Sequence, residues 1–324
     1  MRTKLIALSS VLVPALFFFT PPLHADDGWE RASLTLTEEN DVALSDRNYT
    51  QGAKIQFLSR DYTFGGWFNA LAPSVGYDAP KWKWGLEAGH QIFTPEKITE
   101  HKLIRDDRPY AGWLYGGLIF QQRGTNAHGT GVMGTYRLRV GVVGPDSQAD
   151  HAQVSWHEVF DFDQPNGWRN QLRNEVGIQF AYDRRHRYVL CGDVWSVQLL
   201  PEAGVELGNI RIDAHAGGML RVGWNIPNEF GVTVTNSTHA ADFGVHLFAG
   251  VTGYAVALDI FLDGNNFRDS HSVDKHELVG EARVGIAFTT RHVEFSVTHV
   301  RRSHEFEAQN ESTGFTSLAL TAKF

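Results

Sequence analysis

Beyond its first two dozen residues this chain contains no run approaching the roughly 18 consecutive apolar residues that a membrane-crossing helix requires. Instead, segment after segment of about ten residues alternates apolar with polar. Val293, Phe295 and Val297 face one way while Glu294, Ser296 and Thr298 face the other. Leu278, Ala282, Val284, Ile286 and Phe288 oppose Glu281 and Arg283, and Tyr136, Leu138, Val140 and Val142 oppose Arg137 and Arg139. A period of two residues is that of a strand with one apolar and one polar face. The composition agrees: 32 Gly, nine Trp, nine Tyr and 21 Phe, with 42% hydrophobic and 20% charged residues, suit β-structure and exclude a disordered segment or a bundle of membrane helices.

The alternation predicts twelve strands, near 30–38, 49–60, 81–92, 110–122, 129–143, 172–186, 194–208, 210–224, 243–263, 277–289, 292–305 and 314–324. A soluble sandwich or jelly roll also uses many short alternating strands. Three features favour a transmembrane antiparallel β-barrel with long extracellular loops. The strands are long, with Trp and Tyr near their ends. The last one places Leu318, Leu320, Ala322 and the final Phe324 on one face, which resembles the assembly signal of bacterial outer-membrane barrels. The chain also opens with an export signal: Arg2 and Lys4, the apolar run from Leu5 to Thr20, then Pro21, Pro22 and a small residue, Ala25, at the cut. The reading is a signal peptide over 1–25 and one barrel domain over 26–324. Only a closed barrel satisfies every backbone group of a strand in lipid.

Loss of Arg2 and Lys4 moves the net charge from −8 to −10, and this acidic balance argues against a nucleic-acid partner. The single cysteine, Cys191, allows no internal disulfide, and Leu190-Cys191-Gly192-Asp193 reads as a turn. With the N-terminus on the periplasmic side, connections after odd-numbered strands face outward. Three of them stand out, at 38–48, 93–109 and 144–171, the last with a possible helical turn over 153–161. The connections 61–80 and 225–242 are long although they fall on the periplasmic side.

No nucleophile elbow, HExxH helix, P-loop or EF-hand loop occurs. Gly129-Thr130-Gly131-Val132-Met133-Gly134 matches GxGxxG but lies in a strand with no following helix, so it reads as strand glycine. The outer loops carry Glu38-Glu39-Asn40-Asp41, Asp46-Arg47-Asn48-Tyr49-Thr50-Gln51-Gly52, Asp106 to Trp113, and Gln153-Val154-Ser155-Trp156-His157 followed by Asp161 and Asp163. Clustered carboxylate, amide and hydroxyl oxygens suit Ca²⁺, and a histidine beside them suits general-base chemistry at neutral pH. Gln153 and His157 are four apart and share a face if the segment is helical. The alternative is that all of these are solvated loop residues.

These stretches, with Gly141-Val142-Val143-Gly144-Pro145 and Gly167-Trp168-Arg169-Asn170-Gln171-Leu172, occur in an order that resembles the lipid A 3′-O-deacylase family of Gram-negative outer membranes. The resemblance is dense in the N-terminal half; the C-terminal half matches only as barrel strands. It implies a twelve-stranded barrel that removes the 3′-linked acyloxyacyl chain of lipid A, in lipopolysaccharide of the outer leaflet, in a Ca²⁺-dependent reaction. It implies Asn40, Asp41, Thr50, Gln153 and His157 as active-site positions. Asp163 stands where the family has Glu, and the family's loop lysine falls on Lys97 or Lys102. Asp41 is the candidate calcium ligand.

On that reading His157 takes a proton from water, Ca²⁺ stabilises the oxyanion, and Gln153 and Asn40 orient water or substrate. Lys97, Lys102, Arg105 and Arg108 offer positive charge to lipid A phosphates. Two rivals are a serine–histidine outer-membrane phospholipase, for which the mature chain lacks a His-x-Ser motif, and a non-enzymatic porin or adhesin.

Overall fold

The computed structural model describes residues 31–40, 48–62, 78–125, 130–192, 194–226, 230 and 243–324. The proposed signal peptide therefore lies outside the described residues, as does Asp41. Twelve strands form one closed antiparallel barrel in which each pairs with its chain neighbours and β1 pairs with β12. They are β1 Ser33–Asn40, β2 Asn48–Leu58, β3 Asp78–Thr94, β4 Ala111–Thr125, β5 Gly131–Val143 and β6 Glu175–Cys191. β7 Trp195–Gly208, β8 Arg211–Trp224, β9 Gly244–Asp259, β10 Leu278–Thr289, β11 Val293–Arg302 and β12 Thr313–Lys323 complete it. The membrane barrel and its strand count are as the alternation predicts.

The apolar set of each strand faces outward. Leu86, Leu114, Leu118, Leu138, Val140, Leu247 and Val284 are exposed, while their neighbours Glu87, Arg137 and Arg139 turn into the lumen. This inversion is what a bilayer demands of a barrel wall. Inside, the charges pair across strands: Arg139 with Glu87 (2.6 Å), Arg137 with Asp183 (2.5 Å), and Arg283 and Arg185 with Glu202 (2.5 and 2.8 Å). Arg211 bridges Asp213 and Asp259, and His215 sits between Asp183 (3.1 Å) and Asp213 (3.0 Å). Each of these charges, withdrawn from water, is answered by an opposite one, as burial requires. A cavity of about 390 Å³ remains among them. Towards the end of the barrel that carries the long connections, a plug of Tyr49, Phe93, Trp113, Ile210, Phe261 and Phe315 fills the mouth, with Phe93 and Phe261 stacked 4.0 Å apart.

Most strand ends shift by up to three residues from the sequence reading, and three differences are larger. β6 runs to Cys191, so Leu190 and Cys191 belong to the strand and the turn begins at Gly192, whose φ of 81° suits glycine. β9 stops at Asp259, because its carboxylate accepts from the Phe261 main-chain N–H (3.0 Å) and starts a single helical turn, Ile260–Asp263. The helical turn expected in the third outer loop is a full helix, α1, Ala149–Phe160. Of the two long connections on the opposite side, 63–77 and 231–242 lie outside the described residues.

Candidate active site

The third outer connection leaves β5 at Gly144, makes a 3₁₀ turn over Pro145–Ser147 against β4 and β5, and continues into α1, which packs on β4 and β3. The helix ends where Asp161 adopts a left-handed conformation (φ 55°) and the N–H of Phe162 reaches the His157 carbonyl (2.9 Å). Its buried residues are Ala149, Gln153 and His157, at i, i+4 and i+8, which is one stripe facing the wall. Ile92 of β3 lies across from Gly112 of β4, and both share the outward parity of Leu86, Leu114 and Leu118. Ile92 is nonetheless only 1% exposed and clusters with Ala149, Tyr110 and Trp168. The helix therefore lies on the outside of the barrel at its rim. The lumen is on the other side of the wall.

Gly112 makes this docking possible. A Cβ there would fall inside 3.0 Å of Ala149 Cβ and Ser147 Oγ, so only glycine lets the loop come this close. The rest of α1 carries exposed Val159 (73%), with Phe162 just beyond the helix (49%), and half-buried Trp156 against Phe160 with rings 4.7 Å apart. Aromatic and aliphatic groups on a helix at a barrel rim suit the lipid–water interface.

Both candidate side chains on the buried stripe are oriented by specific bonds. His157 Nδ1 lies 2.5 Å from the main-chain oxygen of Asp163. A carbonyl only accepts, so Nδ1 is the donor and Nε2 is the basic nitrogen of the neutral ring. Phe162 stands edge-on to the imidazole at 5.8 Å. Gln153 Oε1 accepts from the Trp168 indole (2.9 Å), which turns the amide so that Nε2 is buried without a hydrogen-bond partner. The second and third loops are interlaced beneath this: Asn166 N to Ile98 O (2.8 Å), and Arg169 Nε and Asn170 Nδ2 to His101 O (3.0 and 3.1 Å).

Thr50 is the extra residue of a β-bulge between the pairs Tyr49–Phe93 and Gln51–Ile92. Its hydroxyl meets that of Thr94 at 2.5 Å, and both are buried. Asn40, the last residue of β1, pairs with Gln51, so Asn40 and Thr50 are neighbours across one ladder. The Asp163 side chain is exposed; only its carbonyl is given to His157. Lys97 and Lys102 are exposed on the second loop in separate clefts, Lys97 beside Asn48 and Asp107, Lys102 beside Pro95 and Tyr110. Arg108 is buried in the mouth, 3.5 Å from Glu305 and over the ring of Phe93. Burial alone would raise the Glu305 carboxyl, but Arg108 and Arg302 hold it at about 2. Burial pushes the nearby Asp107 carboxyl up, against the main-chain N–H groups of Glu96 and Arg108.

Among the described residues no group of three or more His, Cys, Asp and Glu gathers as a metal cage. The donors at the β1–β2 rim are an amide (Asn40) and hydroxyls (Thr50, Thr94), and the sequence between the two strands adds the carboxylates of Asp41 and Asp46. An oxygen-only set of this kind fits a hard cation such as Ca²⁺. Trp168, Thr94 and Gly112 carry no role in the sequence reading. For Trp168 the available signal is an indole in a polar loop, which needs an acceptor when buried.

The sequence matches the family model described as outer membrane protein LpxR over residues 11–324. No curated protein matches it. Among solved structures, LpxR from Salmonella typhimurium aligns with a TM-score of 0.74 at 20% identity, over 90% of this chain and 100% of that one. The β domain of the Bordetella autotransporter Brka (TM-score 0.44, 12% identity, 92% of this chain and 100% of that one) and the NanC porin (0.41, 8%, 90% and 100%) share little beyond being barrels.

Proposed function

This chain belongs to the LpxR family of outer-membrane proteins, and from that premise we propose that it is a lipid A deacylase, an esterase removing the 3′-linked acyloxyacyl chain. The observation that supports this reading is the buried Gln153–His157 stripe on the outward side of the rim. A lipid in the outer leaflet reaches that side laterally, without entering the barrel. A porin reading lacks comparable support, because the lumen is crossed by ion pairs and its mouth is filled by apolar side chains.

In the proposed reaction His157 Nε2 accepts a proton from water as the oxygen attacks the ester carbonyl carbon. The Nδ1–H bond to Asp163 O holds the ring in the required tautomer and favours the imidazolium that forms. Collapse of the tetrahedral species breaks the ester C–O bond, and the proton on Nε2 passes to the departing sugar oxygen. Gln153, held by Trp168, presents its amide N–H to the substrate or the water, and Asn40 acts beside it. Asp41 and neighbouring oxygens would hold calcium, which when bound would supply positive charge for the oxyanion. Lys97 and Lys102 meet the phosphates.

The test is mass spectrometry of lipid A incubated with the refolded barrel, with Ca²⁺ or with chelator, beside His157→Ala. The expected result is loss of one acyloxyacyl unit that requires both. Equal cleavage by the variant refutes the base assignment, and an unchanged mass throughout refutes the activity.

A further inference from the structure

Below α1 the outward face of the wall is hollow. Ala88 and Gly116 pair directly across β3 and β4, and Ile55, Leu86, Leu118 and Val140 rise around them to border an open apolar recess of about 610 Å³. That is the volume of a small-ligand site. The hollow lies four residues down the strands from Ile92 and Gly112, where the helix docks, about 13 Å at ~3.3 Å per residue. Around it the wall is studded with exposed leucine and valine, so its surroundings are hydrocarbon.

The row between the helix and the hollow carries a polar group. His90 pairs with the exposed Leu114 and so faces outward; it hydrogen-bonds the Ser147 main chain, and its Nε2 is buried without a partner. A polar side chain here, at the foot of the docked loop, sets a polar border between the helix and the apolar recess. Polar contact above and an apolar recess below match the head-to-tail order of one acylated lipid.

We propose that this hollow seats an acyl chain of the lipid whose ester lies under α1, with His90 at the polar border above it, and so selects substrates by chain shape. The identity of that lipid rests on the deacylase reading. Leucine at 116 fills the recess without disturbing the fold, since the nearest neighbour of a Cβ there is Glu87 O at 3.9 Å. Gly253, on the opposite wall with nothing within 4 Å, is the matched control.

The experiment is native mass spectrometry of the refolded barrel with hexa-acylated lipid A, in a His157→Ala background that removes turnover. Gly116→Leu is expected to weaken lipid A retention about tenfold, through the close contacts between chain and wall that it removes, while Gly253→Leu leaves it unchanged. Equal retention by all three proteins, or equal loss in both leucine variants, overturns the proposal. Should Gly116→Leu fail to regain the heat-modifiable mobility of a folded barrel, Ala88→Leu carries the same test. If the wild type cleaves no lipid A yet the two leucine variants still differ, the recess stands and the deacylase reading falls.

Discussion

Gly112→Ala adds one methyl group where the structure has no room for it. The new Cβ lies inside 3.0 Å of both Ala149 Cβ and Ser147 Oγ. Ser147 cannot swing clear without giving up its bond to Gly144 O (2.6 Å), so the helix must withdraw. Restoring a carbon–carbon separation of ~3.5–4.0 Å from the 2.2 Å of the added carbon moves α1 outward by roughly 1.5 Å. Gln153 and His157 ride on the same rigid stripe and withdraw with it, and a displacement of about 1 Å at a reacting centre costs on the order of 10²-fold in rate. Barrel stability should change little, because overpacking of ~1–3 kcal/mol falls on a rim contact rather than on the strand ladders. The assay is the initial rate of lipid A deacylation by mass spectrometry, with heat-modifiable gel mobility reporting the barrel and Gly253→Ala as control. Wild-type rate in a folded Gly112→Ala barrel would refute the claim that close docking of α1 positions the site.

Three further substitutions test individual contacts. Asp163→Ala should keep activity within a few-fold, since the carbonyl reaches His157 and the exposed carboxylate does not; a loss of orders of magnitude would show that the side chain turns inward with substrate. Trp168→Phe removes the donor that fixes Gln153, a bond of ~1 kcal/mol, and should lower kcat by about fivefold with little change in KM, measured by steady-state deacylation. Glu305 is held at about 2, below its unfolded value, so its contribution is present above about pH 4.5 and is lost as pH falls towards 2. Thermal unfolding of the mouth, followed by tryptophan fluorescence, should fall across that window in the wild type and by less in Glu305→Gln.

Most of the barrel is legible in the sequence because lipid imposes one rule on every strand. Alternation places Leu138 and Val140 outside and Arg137 and Arg139 inside, and the same arithmetic holds for β10 and β11. Where the rule lapses, legibility lapses too. Ile260-Phe261-Leu262 is apolar without alternating, so it reads as more strand, although Asp259 and Gly264 bracket it as a helix cap and stop. The end of β6 carries Tyr188, Val189 and Leu190, all exposed, with nothing in the residue types to mark where the wall finishes.

The site is legible as residues and not as a place. The spacing of Gln153 and His157 gives a shared helical face, but periodicity within the loop says nothing about which side of the wall that face meets. Gly112 decides it, yet a lone glycine entering a strand is equally compatible with a bulge, a bend or a turn, so its residue type alone does not announce a docked helix. Likewise Thr50 looks like an ordinary strand residue until the bulge and Thr94 show it to be the extra one. Asp163 shows the converse, since the contact it provides is a main-chain carbonyl that any residue type could supply.

The position of α1 also explains why small and polar residues bear the burden of holding it. Inside a soluble protein a helix is fastened by removing apolar surface from water, yet on the lipid side of a barrel that driving force is absent, because the hydrocarbon is as apolar as the wall. What is left is close approach and hydrogen bonding. Gly112 against Ala149 supplies the first, and the second comes from Trp168 to Gln153 and from the loop carbonyls of Ile98 and His101. Large apolar groups such as Val159 and Phe162 are left exposed instead, available to lipid. Substitutions that would be mild in a soluble core, one methyl at position 112 or one lost indole N–H at 168, should therefore cost this site more than truncating Val159, which touches the bilayer rather than the wall.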